Sequence, residues 1–291
     1  MRRMLIVMLP VFLAGCLTNK SAQPKNWLNR FGPFRGPTGP DVVVIDAALL
    51  QCTIGDHYIN RELWTQTDEQ VVEPEKRAML DENGLRVGQV GGITPPKLLE
   101  MLTSERTCVN PRRIMIRAGH STRFRLGPTL EQCRFVVKAN DKEREIDVAR
   151  ADCSLVITAT LTPTGETRLR FTPEVQHGDS QLLPAPADDR SGWELKQQRP
   201  TESFPALSWE VTLAPNEYLI VGAQYDRPGT LGHECFIQRD KNAPGQRLLV
   251  LRTGRAPVNI NQDVLSSNTS FLRAPPIAFQ ASRTAIRGQN R

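Results

Sequence analysis

A chain of 291 residues with 39% hydrophobic side chains carries enough apolar material for one large domain or two small ones. With 22 prolines, 20 glycines and 6% aromatics, it reads as a body of many turns rather than a helical bundle. The net charge of +6 is mild, two of those charges sit at Arg2 and Arg3, and no block of five like charges occurs, so no nucleic-acid partner is expected.

Arg2 and Arg3 form a short positive segment before the apolar run Leu5 to Leu13. That run is too short to span a bilayer as a helix, which takes about 20 residues. Leu13-Ala14-Gly15-Cys16 follows and matches a bacterial lipobox, small residues directly before a cysteine. The thiol of Cys16 would take the lipid, and the small residues let a peptidase reach the backbone. The reading is a lipoprotein signal peptide over 1–15, an anchor at Cys16, and a body outside the cytoplasm. Leu17, rather than Asp, after Cys16 points to the outer membrane. Residues 16–40 hold four prolines and three glycines and read as an extended tether. Trp27, Phe31 and Phe34 interrupt it, to rest on the membrane interface or on the body.

Residues 41–108 read as a mixed α/β part. Val42 to Leu50 is a β-branched, apolar run suited to a buried strand. Pro74 opens a helix that runs through Asn83 and closes at Gly84. Leu85-Arg86-Val87 begins a second strand, and Gly88, Gly91 and Gly92 predict a turn. Thr94 is expected to cap a helix with Pro95 at its first position and a stripe of Leu98, Leu99 and Leu102. Residues 109–255 read as the β-rich remainder of the same body. Cys133, Phe135 and Val137 alternate with polar residues, as do Ile146 and Val148. Leu155, Ile157, Ala159 and Leu161 share one face, and Pro163-Thr164-Gly165 turns the chain into Leu169 and Phe171. Trp209, Val211 and Leu213 alternate likewise, Tyr218 to Val221 follows a turn at Pro215-Asn216, and Leu248 to Leu251 is a last buried strand. Residues 176–204 read as a long polar loop, and 256–291 as a disordered tail. The fold class is therefore α+β, rich in antiparallel β-sheet.

Little in the sequence carries chemistry. Asp56-His57 offers a base with its orienter, but neighbouring strand residues point to opposite faces. His177-Gly178-Asp179-Ser180 holds hydrolase residue types on one loop, and Gly119-His120-Ser121 lacks the second glycine of a nucleophile elbow. His233-Glu234-Cys235 has ligand types without the spacing of a zinc helix. Gly88-Gln89-Val90-Gly91-Gly92 lacks the pattern of a phosphate loop and reads as a turn. Tyr58, Arg61, Glu62 and Trp64 cluster after the first strand, as a recognition edge or as core. No catalytic set, cofactor or metal site is expected. Besides Cys16 there are Cys52, Cys108, Cys133, Cys153 and Cys235. Their odd number leaves one thiol unpaired or paired between chains. Cys133 and Cys153, on neighbouring predicted strands, are the candidate disulfide.

The order of motifs resembles the core domain of bacterial secretins, the gated outer-membrane rings. Val43-Val44-Ile45-Asp46-Ala47-Ala48-Leu49-Leu50 is similar to that family's opening strand, and Leu98-Leu99-Glu100-Met101-Leu102 to its helix. Arg113 to Ile116 and the hairpin from Ala118-Gly119 to Leu126-Gly127 come next. Thr160 to Gly165 with Leu169 to Val175 looks like the family's Thr-Pro hairpin. Trp209 to Gly222, then Leu248 to Thr253, stand where its last strands would be. The sequence departs from the pattern at Ala223, in place of a second glycine, and at the polar stretch Gln224 to Gly232. Family members also carry ring-building N-terminal domains, which do not occur in this sequence. Arg168 and Arg170 do not suit a lipid-facing barrel strand. The stretch Asp56 to Arg113 is also similar to planctomycete envelope lipoproteins.

The resemblance implies a non-enzymatic envelope lipoprotein with a scaffolding or assembly role, membrane-bound through its lipid, in an envelope complex or homo-oligomer. A cell-wall or polysaccharide binder using Tyr58, Trp64 and Trp193, and a hydrolase using His57 or His177, are the competing expectations.

Overall fold

The computed structural model describes residues 41–255, apart from residues 92, 187–191, 216 and 239–243. The leader, Cys16, the tether and the tail beyond 255 lie outside the described residues.

Two antiparallel sheets face each other across the main core. The first has the order β2 (Leu85–Val90), β12 (Tyr218–Ala223), β14 (Gly245–Arg255), β1 (Val42–Cys52), β3 (Cys108–Arg117), with β13 (Ile237–Gln238) beside β14. The second is built on β6 (Lys142–Leu161), which pairs with β4 (Ser121–Arg125) and β7 (Thr167–Gln176) over its second half and with β5 (Leu130–Ala139) over its first. β10 (Thr201–Ser203) and β11 (Trp209–Leu213) extend β7. A third, two-stranded sheet of β8 (Gln181–Pro186) and β9 (Trp193–Gln198) stands apart.

Apolar runs mark the central layer because it is covered on both faces. Val43, Ile45, Ala47 and Leu49 of β1, Leu219 and Val221 of β12, and Leu249 and Leu251 of β14 face the second sheet. The intervening Ala48, Leu50, Ile220, Leu248 and Val250 face a helical layer instead. That layer is a π-turn over Tyr58–Glu62 leading into α1 (Leu63–Thr65), together with α3 (Pro96–Thr103). The second sheet shows cleaner alternation. Leu155, Ile157, Leu169 and Phe171 point to the core while Thr158, Arg168 and Arg170 face out, and Trp209 stacks on Phe171 with centroids 5.1 Å apart.

Asp46, only 6% exposed, interrupts the apolar run of β1. Its register partners are Arg252 on β14 and Arg113 on β3. Arg113 donates to both carboxylate oxygens, at 2.7 and 3.1 Å, and Arg252 lies 3.8 Å away. A charge this buried is tolerated because it is paired across both neighbouring strands.

α2 (Pro74–Glu82) ends as the sequence predicts, with Asn83 and then Gly84 at φ +71°. Other expectations need correction. Gly88 is not in a turn: it lies within β2, where an added Cβ would meet Thr67 Cγ2 at 2.4 Å, because residues 67–68 run tightly against the strand. α3 starts at Pro96, not Pro95, and Thr94 does not cap it. Pro95 precedes another proline and is held extended, at ψ 130°. The stripe of α3 is Leu98, Met101 and Leu102, with Leu99 half-buried. The expected polar loop 176–204 instead contains the β8–β9 hairpin and β10. Pro184 and Pro186 fit β8 because its outer edge pairs with no other described strand.

Candidate functional site

The β8–β9 hairpin is the part of the body that packs least on the rest. Its register places Leu182 opposite Gln197, Pro184 opposite Leu195 and Pro186 opposite Trp193. Side chains alternate along a strand, so these six residues share one face. Leu182, Trp193 and Leu195 on that face are 66%, 76% and 65% exposed, the largest such grouping among the described residues. Lys196 and Glu194, an ion pair at 2.8 Å, lie on the opposite face.

The base of the hairpin is clasped. β6 changes partners where Arg150 adopts a left-handed conformation, φ +51°, and the strand bends from β5 toward β4 and β7. Just beyond, the Asp152 carboxylate, 13% exposed, receives guanidinium groups from Arg125 at the end of β4 and Arg199 at the end of β9. Arg199 also donates to the Gly178 carbonyl at 3.0 Å and to the Arg150 carbonyl. Arg150 pairs in turn with Asp179. The backbone closes the same ring: His177 N donates to Pro200 O and Gly178 N to Ala149 O, both at 2.9 Å. Charge-assisted bonds at a partly buried base are the strong kind, so the hairpin is held at its root while its apolar face stays in solvent.

A second cluster lies in the main core. Cys133 on β5, Cys153 on β6 and Cys235 on α4 (Leu231–Phe236) are all buried and carry free thiols. The expected pair Cys133 and Cys153 is present here as two free thiols. The three thiols share one buried cluster, with Cys133 opposite Val148 in the β5–β6 register and Cys153 opposite Val175 in the β6–β7 register. The neighbouring Cys153, together with burial, pushes the Cys133 thiol far above its ordinary range. At Cys153 the influence of Cys133 lowers the value, but that of Cys235 and burial outweigh it and the thiol is also held up. Both are neutral groups in the folded protein.

The other sequence candidates are scattered. Asp56 and His57 begin a helical turn rather than a strand. Asp56 Oδ1 accepts from Ile59 N at 3.1 Å, and His57 Nδ1 lies 2.8 Å from exposed Glu62, turned away from Asp56. Asp179 is engaged by Arg150, leaving no arrangement with His177. His120 sits in the exposed β3–β4 turn. His233 is buried on α4, 3.5 Å from Glu234. Among the described residues no group of three His, Cys, Asp or Glu is arranged to hold a metal ion. Tyr58 and Trp64 belong to the core: Trp64 Nε1 donates to Ile59 O at 2.8 Å and Arg86 lies 4.2 Å over its ring, while Lys97 lies 4.6 Å over Tyr58. Trp193 alone of the three aromatics proposed for sugar binding is exposed.

Sequence reasoning missed the hairpin face and the Asp152 clasp. In the sequence, Trp193 and Leu195 alternate, as do Leu182 and Pro184, on either side of a stretch rich in Asp, Ser and Gly, which is a hairpin signal.

Comparison with protein-family models gives no match, and neither does comparison with curated protein sequences. A slight likeness is found among solved structures. It is to the InvG secretin domain β-barrel from the Salmonella SPI-1 injectisome NC-base, at 6% identity and a TM-score of 0.19. The alignment covers 77% of this chain and 63% of that one, so this chain spans less than two thirds of its length. The two share a β-rich character, and the TM-score is far below that of superimposable folds.

Proposed function

We propose that the chain is a non-enzymatic envelope lipoprotein, anchored through Cys16, whose secretin-core-like body acts as a scaffold or assembly part in an envelope complex. The observation that carries this reading is the β8–β9 hairpin. Its apolar face holds Leu182, Trp193 and Leu195 in solvent, and neither edge pairs with another described strand. An exposed apolar face marks a protein contact site, and open strand edges accept a further strand. The clasp at Asp152 fixes the hairpin's root, which reduces the entropy lost on contact. The occupant proposed is a strand of a neighbouring subunit, a second copy or a partner protein. The lipobox supplies the location.

Two measurements test the reading together in a bacterium expressing the full chain. Fatty-acid labelling should mark the protein and be lost in Cys16→Ser. Membrane-extracted protein should run as a complex on native gels, and Trp193→Asp with Leu195→Asp should convert it to monomer. An unlabelled chain found with the cytoplasmic proteins refutes the anchor. A wild-type chain that is monomeric and partner-free refutes assembly. Retention on purified cell wall that depends on Trp193 would favour the polysaccharide reading.

A further inference from the structure

We propose that the outer edge of β9 is a self-pairing surface, on which two copies of this chain join β9 to β9, antiparallel, about a twofold axis at Leu195. The proposal rests on the assembly reading above and names the partner of the same hairpin.

The prolines of β8 decide which edge is available. The β8–β9 register runs unbroken from Gln181 opposite Gln198 to Pro186 opposite Trp193, through Pro184 opposite Leu195. Neither proline has an N–H, so the ladder's hydrogen bonds are made at the alternate pairs, Leu183 with Lys196 and Ala185 with Glu194. Leu182, Pro184 and Pro186 therefore turn their backbone groups to the outer side of β8, where Leu182 alone supplies a donor. Their partners Gln197, Leu195 and Trp193 turn theirs to the outer side of β9, where every N–H is present. That side pairs with no other described strand. β9 can accept a strand along its length, and β8 cannot.

The sequence of β9 selects its own copy. Antiparallel pairing centred on Leu195 sets Leu195 against Leu195, Trp193 against Gln197 and Glu194 against Lys196 of the second copy. The outward backbone groups of Trp193, Leu195 and Gln197 then meet as hydrogen-bonded pairs. On the exposed apolar face Leu195 touches its counterpart, and Trp193 reaches it diagonally. On the opposite face Glu194 and Lys196 of one chain lie 2.8 Å apart, and each meets the opposite charge across the axis. The neighbouring registers that use the same backbone groups set Glu194 against Glu194 or Lys196 against Lys196, so charge fixes the register. Each hairpin is rooted at its Gln198 end, so the two bodies lie at opposite ends of a four-stranded sheet. Both outer edges of that sheet are β8, closed by proline, and assembly stops at two copies.

The test uses the full chain purified from a bacterium expressing it. Leu195→Cys treated with a short bis-maleimide should give a covalent dimer, and Leu182→Cys should give none, because the two β8 strands stand ~14 Å apart. Glu194→Lys alone and Lys196→Glu alone each set like charges across the axis, and each should weaken the dimer about tenfold in sedimentation at low salt. Mixing these two variants should restore it, since every cross-strand charge pair in the mixed dimer is again opposite. Leu195→Cys that stays unlinked, charge variants that bind as tightly as wild type, or a mixture no tighter than its components overturns the proposal. The assembly reading fails differently. It stands if a native-gel complex is lost in Trp193→Asp with Leu195→Asp while Leu195→Cys never links to its own copy, for the hairpin then holds another protein; a monomeric wild type refutes both.

Discussion

Asn83 joins two distant parts of the chain, and its removal has a calculable cost. The side chain is fully buried. Its Nδ2 donates to Met79 O at 2.8 Å and to Lys138 O at 2.7 Å, and its Oδ1 accepts from Lys138 N at 2.9 Å. It thus closes α2 while taking the place of a neighbouring strand at the edge of β5. Asn83→Ala deletes three hydrogen bonds at ~1 kcal/mol each and orphans both backbone groups of Lys138, giving a loss of ~3 kcal/mol. With an unfolding slope of ~3 kcal/mol/M the urea midpoint should drop by about 1 M with the slope unchanged. Asn83→Asp should cost more at neutral pH, because a buried carboxylate would face the Met79 and Lys138 carbonyls. It should recover in part below pH ~4 as the carboxyl protonates. Urea denaturation followed by circular dichroism measures both. A midpoint for Asn83→Ala within about 0.3 M of wild type would show that the staple contributes little and would refute the argument.

Gly232→Ala should destabilise by ~2 kcal/mol or more, since a Cβ there would sit 2.2 Å from Gly84 O, which is backbone and cannot swing aside; thermal melting checks it. Trp193→Asp with Leu195→Asp should change folding stability by less than ~0.5 kcal/mol, because both side chains are in solvent, while abolishing association seen by native mass spectrometry. Arg199→Ala should speed amide exchange in β8 and β9 far more than in β6, because Arg199 fastens the hairpin to Asp152 and Gly178. Burial pushes the Cys108 thiol up to about 12 from 9.0, so the folded state keeps its proton while the unfolded chain loses it. This contribution is intact below pH 9 and is lost between pH 9 and about 12, at up to ~1.4 kcal/mol per pH unit; Cys108→Ala should flatten that alkaline decline.

What was legible in the sequence follows the range of the physics. Strong alternation at Leu155 to Phe171 and the buried runs of β1, β12 and β14 announce themselves, since pleat and burial act residue by residue. The Asn83-Gly84 stop of α2 is local and was readable; the reach of Asn83 to Lys138, 55 residues on, was not. Polar composition hid the β8–β9 pair, one of whose strands carries two prolines. Cys133 and Cys153 are expected on neighbouring strands, and those strands do pair, with Cys133 opposite Val148 and Cys153 opposite Val175. Nothing local brings Cys235 into the same core, because its position depends on how α4 docks. His57 and His177 offered suggestive residue types, and only geometry separates them from working partners.

β1 lies between β14 and β3, with Val43 opposite Arg255. The first described strand is therefore completed only by the last, across a loop of some 200 residues whose closure costs ~5 kcal/mol of chain entropy. Synthesis delivers the N-terminal end first, so Val42 to Leu50 must wait, one edge bare and strongly apolar, until the final strand emerges. Folding should be slow and late, and truncation inside β14 should leave an aggregating chain rather than a smaller domain. The closed pairing also brings the two departing ends of the chain out side by side.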